Sequence, residues 1–391
     1  MRSIKRGFLA VMVLITGLFI LLSFLNRRQQ QLSVYENRSL AAHPVFSLRS
    51  VWDGSYFRGW DDYFSDHIYH RDDRMREYQW LRLYLKRSVI VNDVVITDDV
   101  LLPLLPYRDY SSYDYDPDAN SAVDRLTQLQ SKVEAAGSLF LYVGVDEQRM
   151  AFADRYPSYL YSKSDYYETM GRTFRAACEK AGVHTLFLRD RLSGQDQMTY
   201  YSRVDHHFNL QGAFETYLAV CETLAPSLPA FPVLRQEQLG AYKLPGEFYG
   251  SYNRRLYDLS PVHEQLTVFD MSVLPPYERW DNGVRTDAPV LDLPGRGEKV
   301  QYSVYMGGDM AETVICTNRP ELPSILIVGD SFTNPVEALC VYSFNEIRSL
   351  DYRHYHQMDL TEYLALHPVD AVVIIRDSLN YVGSEGNGSL R

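Results

Sequence analysis

Eighteen consecutive apolar or small residues, Phe8 to Leu25 (FLAVMVLITGLFILLSFL), constrain this chain more than any other stretch. In hydrocarbon only a helix lets one segment satisfy its own backbone groups. At about 1.5 Å per residue such a helix reaches about 27 Å, close to the thickness of a bilayer core. A cleaved signal peptide is the competing reading. Against it, no small-x-small site follows the run, which continues Ser23-Phe24-Leu25-Asn26-Arg27-Arg28, and no cysteine near its end marks a lipoprotein signal. The expectation is an uncleaved single-pass anchor over residues 1–28. Arg2, Lys5 and Arg6 favour a cytoplasmic N-terminus, with Arg27 and Arg28 blunting the asymmetry. That orientation puts residues 29–391 outside the cytoplasm.

The 391 residues include 39 basic and 50 acidic ones, a net charge of −11. Five of the basic residues and none of the acids fall in residues 1–28, so the remainder carries −16 (34 basic against 50 acidic). Nucleic-acid affinity comes mainly from basic contacts to phosphate, so a body this acidic is not expected to bind nucleic acid. With 23% charged and 46% hydrophobic residues the chain is not disordered, and its length allows a full-sized core. Cys178, Cys221, Cys316 and Cys340 have no CxxC or other metal spacing, leaving up to two disulfides or buried free thiols both open. Tyrosine is the compositional oddity at 31 residues. Exposed aromatic faces serve saccharide binding, but a Tyr-rich exterior is also common without it.

Residues 29–50 read as a polar stalk and 51–391 as the folded body. Trp52 to Lys86 repeats aromatic and aliphatic residues at helical steps, Ser88–Leu104 reads as a hairpin or meander, and Tyr107–Asn120 as a surface loop. An α/β rhythm follows. Helices are expected over Ser121–Ala136, closed by Gly137, over Tyr166–Ala181, ending at Gly182, and over Leu210–Leu224. Strands are expected at Leu139–Val145, Val183–Leu188, Ser324–Val328 and Ala371–Ile375. The alternation predicts an α/β fold: a mostly parallel sheet with helices on both faces. Residues 229–320, rich in Pro, Gly and Tyr, fit an inserted segment of irregular and β structure.

Two short motifs carry chemistry. The strand Ser324–Val328 runs into Gly329-Asp330-Ser331-Phe332, with a helix expected from Pro335. Reactive groups in open α/β sheets lie beyond the carboxyl ends of strands, where helix amides can stabilise an oxyanion. Asp330 or Ser331 acting as a plain helix cap is the alternative. The second motif, Asp205-His206-His207-Phe208, directly precedes a helix. A serine hydroxyl needs a base, usually an imidazole oriented by a carboxylate. In an extended stretch, residues two apart point the same way, so Asp205 and His207 would address one cavity. A metal site built on Asp205 and the two histidines competes, but no third ligand stands at recognisable spacing, and neither metal nor cofactor is expected. Together the motifs supply an acyl-transfer triad in the order Asp…His…Ser.

These residues resemble the DHHW family, SGNH-hydrolase-like bacterial proteins similar to the alginate O-acetylation proteins. The likeness is carried by the two motifs and by several others in order. These are Glu36-Asn37-Arg38 with Pro44, Tyr63-Phe64-Ser65-Asp66-His67 with Arg71, Phe248-Tyr249-Gly250-Ser251, Tyr302–Gly308, and Asp351-Tyr352-Arg353. It spans roughly residues 36–378. The resemblance implies an extracytoplasmic SGNH-like domain with Ser331 as nucleophile, His207 as base and Asp205 as the orienting carboxylate. The implied chemistry is acetyl transfer to, or removal from, an exported or cell-wall polysaccharide, beside a multi-pass membrane acyltransferase. Phe208 stands where the family has Trp, and no separate Asn block is readable. The Ser331 amide is the better oxyanion donor, with Gly250 and Asn334 as weaker candidates. A non-catalytic polysaccharide-binding or assembly protein that keeps the fold is the second expectation.

Overall fold

A computed structural model describes residues 2–25, 32–36 and 38–389. Asn26, Arg27, Arg28, the first residues of the stalk and Asn37 lie outside the described residues. The chain divides into two compact units, residues 1–94 with 253–261, and 95–252 with 262–391.

The first unit begins with helix α1 (Arg2–Leu25). Its segment Arg6–Ser23 is long and apolar enough to cross a membrane, and none of it is buried. Helices α2 (Leu48–Trp52), α3 (Ser55–Asp66) and α4 (Arg71–Trp80) follow, the last continuing as a π-helical turn through Leu85. Asp66 ends α3 buried, and a buried carboxylate must be paired. Arg38 donates to both its oxygens at 2.7 and 2.5 Å, and the Ala41 N–H adds a third bond at 2.8 Å. The Arg38 bonds outweigh burial and hold the Asp66 carboxyl at about 2. Arg71 in turn donates to Glu36 at 2.5 Å. The motifs around residues 36–38 and 63–71 thus meet in one ionic knot.

The second unit is built on an eight-stranded sheet. Its elements in chain order begin with α5 (Asp116–Ala135), β1 (Leu139–Val145), α6 (Ser164–Ala181), β2 (Thr185–Phe187) and α7 (Leu210–Leu224). They continue with β3 (Glu278–Asp281), β4 (Val284–Thr286), β5 (Glu312–Cys316), β6 (Ile325–Val328) and α8 (Asn334–Cys340). Strand β7 (Glu346–Leu350), α9 (Leu360–Leu366) and β8 (Ala371–Asp377) complete it. The strand order is β4-β3-β5-β7-β6-β8-β1-β2. From β7 to β2 every pairing is parallel, with Ile325 opposite Ala371 and Ala371 opposite Leu139. Strands buried on both faces need unbroken apolar runs, and β6 and β8 are buried at every residue. Phe140, Tyr142, Leu326, Val328, Val372 and Ile374 share a core with α5, α6 and α9. The alternate residues turn to the other face, where α7 and α8 pack together.

The fold is thus the expected α/β architecture, a mostly parallel sheet with helices on both faces, with differences of detail. The 229–320 segment supplies β3, β4 and β5, which extend the parallel sheet by three antiparallel strands rather than forming a separate layer. Helix α5 starts at Asp116, inside the expected 107–120 loop, because Pro117 suits a first turn and Asp116 and Asp118 favour the positive end of the helix dipole. Strand β7 and helix α9 are additions to the expected elements; in the strand, Glu346 and Arg348 interrupt the apolar pattern. Gly137 (φ 88°) and Gly182 (φ 72°) close α5 and α6 in the left-handed conformation. Residues 88–104 hold three short strands. All four cysteines are free, and Cys178, Cys221 and Cys340 are buried.

Candidate active site

The serine side is set by the sheet. Strand β6 ends at Val328, and a Cβ on Gly329 would lie 2.8 Å from the Ile375 carbonyl of β8 and 2.3 Å from the Thr333 side chain. Only glycine fits where the chain leaves the sheet this close to its neighbour. A tight turn follows, with the Phe332 N–H donating to Asp330 Oδ1 (3.2 Å) and the Thr333 N–H to the Asp330 carbonyl (2.8 Å). Asp330 therefore does shape the turn before α8, and the same turn presents the Ser331 hydroxyl.

The histidine side is a loop. Residues 205–207, expected to be extended, lie within a run of bends instead. The loop is pinched by a single bridge between Tyr201 and Phe208 and by the Asn209 N–H to Tyr200 carbonyl bond (2.9 Å). Asn209 then caps α7 by accepting from the Gln211 and Gly212 N–H groups. Asp205 and His207 share a direction because Asp205 Oδ1 accepts the backbone N–H of His207 (3.1 Å), a side-chain-closed turn.

These arms bring Asp205, His207 and Ser331 together. His207 Nδ1 lies 2.6 Å from Asp205 Oδ1, and His207 Nε2 lies 2.7 Å from Ser331 Oγ. With an ionised carboxylate on one side, the tautomer assigned from these partners has Nδ1 donating to Asp205 and Nε2 accepting from the serine. The second Asp205 oxygen accepts the Ser251 N–H at 2.6 Å. Asp205 and His207 are both buried, while Ser331 is partly exposed. Burial by itself would raise the Asp205 carboxyl. The facing imidazoles of His206 and His207 and the His207 and Ser251 hydrogen bonds overcome it, holding the group far below the usual carboxylate range.

Ring packing fixes the imidazole. Tyr302 stacks on His207 at 3.8 Å between centroids and 5° between planes, and Phe332 touches it at 4.7 Å. Phe208 is buried and meets Phe332 edge-on at 5.2 Å, so it fills its position as packing. His206 turns its Nδ1 to Ser251 Oγ at 3.0 Å, with its ring 3.7 Å from His207. Desolvation and then the neighbouring His207 press its pKa down to about 4. Burial and then the Asp377 carboxylate push the Asp330 carboxyl up, with Arg353 opposing.

The oxyanion candidates separate. The Ser331 N–H has no hydrogen-bond partner among the described residues. The Asn334 side-chain amide donates to Asp309 Oδ1 at 3.0 Å, which engages one of its two N–H groups. At Gly250 an added Cβ would fall 2.5 Å from the Val204 carbonyl and 2.9 Å from Asp205 Cβ. Its glycine serves that close approach, which lets the next residue reach the carboxylate. Ser251 and Tyr302 also build the site, and both stand in motifs that carry only the family likeness.

Among the described residues two groups offer three ligand atoms within 4.8 Å of one another, Asp205 with His206 and His207, and Asp309 with Asp351 and His354. In the first, Asp205 Oδ1 and His207 Nδ1 face each other across one hydrogen bond. In the second, Arg353 already pairs with both carboxylates.

Residues 107–274 match the family described as SGNH hydrolase-like domain, acetyltransferase AlgX. The match contains Asp205 and His207, and Ser331 lies beyond it. No curated protein sequence matches the chain. Among solved structures, a DHHW family protein from Eubacterium siraeum DSM 15702 is similar at 19% identity and a TM-score of 0.56, covering 77% of this chain and 95% of that one. PatB1 of Bacillus cereus is similar at 19% identity and a TM-score of 0.61, covering 74% and 97%. The form of PatB1 with a sulfonyl adduct gives 17% and 0.60, covering 74% and 96%. At these identities the likeness establishes the fold.

Proposed function

We propose that this chain is a serine-dependent O-acetyltransferase or acetylesterase acting outside the cytoplasm on an exported or cell-wall polysaccharide. One observation carries the reading: an unbroken relay, Asp205 to His207 at 2.6 Å and His207 to Ser331, 124 positions further along the chain, at 2.7 Å. The match of residues 107–274 to an acetyltransferase family supports the choice of acyl group, and α1 supports a membrane anchor.

In the first half-reaction Ser331 Oγ attacks the acetyl carbonyl as its proton passes to His207 Nε2. The oxyanion forms beside the Ser331 N–H, the kind of preorganised donor that lowers such a barrier. Asp205 stays ionised and holds the imidazolium in place. The leaving group takes the proton from His207, and acetyl-Ser331 remains. In the second half a sugar hydroxyl gives its proton to His207 and attacks the acetyl carbon, and Ser331 Oγ leaves with that proton. Water in place of the sugar makes the protein an esterase. A multi-pass membrane acyltransferase would deliver the acetyl group to a donor within reach of the anchored domain.

The test is mass spectrometry of the full chain, in detergent, after exposure to an activated acetyl ester. A single acetyl on Ser331 is expected, absent from Ser331→Ala and formed at least about a hundredfold more slowly in His207→Ala. Unchanged turnover in Ser331→Ala refutes the mechanism. Loss of activity in His206→Ala but not in His207→Ala assigns the wrong imidazole.

A further inference from the structure

The triad leaves the abundance of tyrosine unexplained. Part of it is core, since Tyr142, Tyr201, Tyr217 and Tyr363 are buried. Another part gathers on the surface of the second unit, where residues 107–115 meet the start of α6. Tyr166 touches Tyr110, Tyr113 and Tyr115 at centroid distances of 4.0, 5.6 and 5.5 Å. Tyr113 also touches Tyr110 and Tyr115, and Tyr167 meets Tyr166 edge-on at 5.1 Å. Tyr107 pairs with Tyr161 at 5.0 Å alongside. Tyr107 is 73% exposed and Tyr113 38%. Rings gathered only to fill a core would not leave faces this open.

We infer that this tyrosine cluster is a binding platform for an uncharged glycan, the acceptor polymer of the proposed acetyl transfer. Aromatic faces offer flat apolar area to the C–H faces of sugar rings, and phenols add polar edges. Burial keeps the phenols of Tyr115, Tyr161 and Tyr167 above their ordinary pKa, so they remain hydrogen-bond donors. The rim selects the charge class. The segments that carry the rings, residues 107–118 and 161–167, hold Asp109, Asp114, Asp116, Asp118 and Asp165 against Arg108 and Lys163, and the whole chain carries −11. A polyuronate would meet like charge along this surface, whereas an uncharged polymer finds hydroxyl acceptors.

The inference rests on the proposed reaction for its acceptor, and the experiment separates the two. The full chain, in detergent, is run through native gels containing hydroxyethylcellulose, galactomannan or xylan, and through gels containing alginate. Retardation by at least one uncharged polymer is expected, weakened about tenfold in Tyr107→Ala and in Tyr113→Ala and largely kept in Tyr107→Phe. Tyr107 is exposed enough that its truncation leaves folding intact, which unchanged circular dichroism checks. No retardation by any uncharged polymer, retardation by alginate alone, or equal retardation of the alanine variants overturns the platform. Acetyl-labelling of wild-type Ser331 without retardation removes only the platform; retardation without labelling removes only the acetyl-transfer reading.

Discussion

Ser331 leaves the end of a strand buried at every residue, whereas Asp205 and His207 stand in a loop held by one bridge and a few side-chain hydrogen bonds. The sheet positions the hydroxyl through backbone pairing on both sides of β6. The loop positions the imidazole through Asp205, whose two oxygens hold His207 and Ser251. Damage to the first region should therefore appear mainly as lost stability, and damage to the second as lost chemistry in a protein that still folds.

The largest expected effect tests the loop. Asp205→Asn keeps the shape but offers His207 the wrong partner, so acetyl-serine formation should fall about a thousandfold or more, measured by single-turnover labelling. A loss under about tenfold would mean that the sheet and ring packing alone orient His207. Gly250→Ala should cost about ten- to a hundredfold in the same assay, because its Cβ must push Val204 and Asp205 aside. The strand region should answer differently. Ile327→Ala removes buried volume from β6 and should cost about 2–5 kcal/mol of stability, a fall in Tm of several degrees, with labelling per folded molecule within about twofold. A rate loss there as large as that of Asp205→Asn would erase the contrast.

The smallest effect is one of pH. Burial raises the Glu337 carboxyl in α8 from its ordinary 4.5 to about 7, the Thr333 and Ser349 hydrogen bonds opposing. The native state keeps a proton that the unfolded chain releases above about pH 4.5, so this group lowers stability as pH rises from there to about 7. Glu337→Gln removes that dependence. Its Tm relative to wild type should be a few degrees higher at pH 8 than at pH 5; an equal difference at both would place the ionised carboxylate comfortably in the core.

Legibility followed the same division. Strands β1, β6 and β8 were readable because a sheet buried on both sides demands continuous apolar runs, and α7 because Asn209 and its periodicity mark the start. Strand β7 was not, since Glu346 and Arg348 alternate with its buried residues. Asp205, His207 and Ser331 could be nominated from residue type and order. The roles of Ser251 and Gly250 could not, because each depends on chain from 45 or so residues away coming within hydrogen-bond or contact distance of the Asp205 loop.

From the sequence alone came the apolar span, the alternation of strand and helix, and the three side chains able to pass a proton. Those follow from local rules: hydropathy, periodicity and the chemistry of single residues. Folding decided the rest. It set the direction of His207 through a turn closed by Asp205, tied the Asn334 amide to Asp309, and collected distant tyrosines on one surface. Such outcomes depend on which backbone approaches which, and nothing within a single segment encodes that.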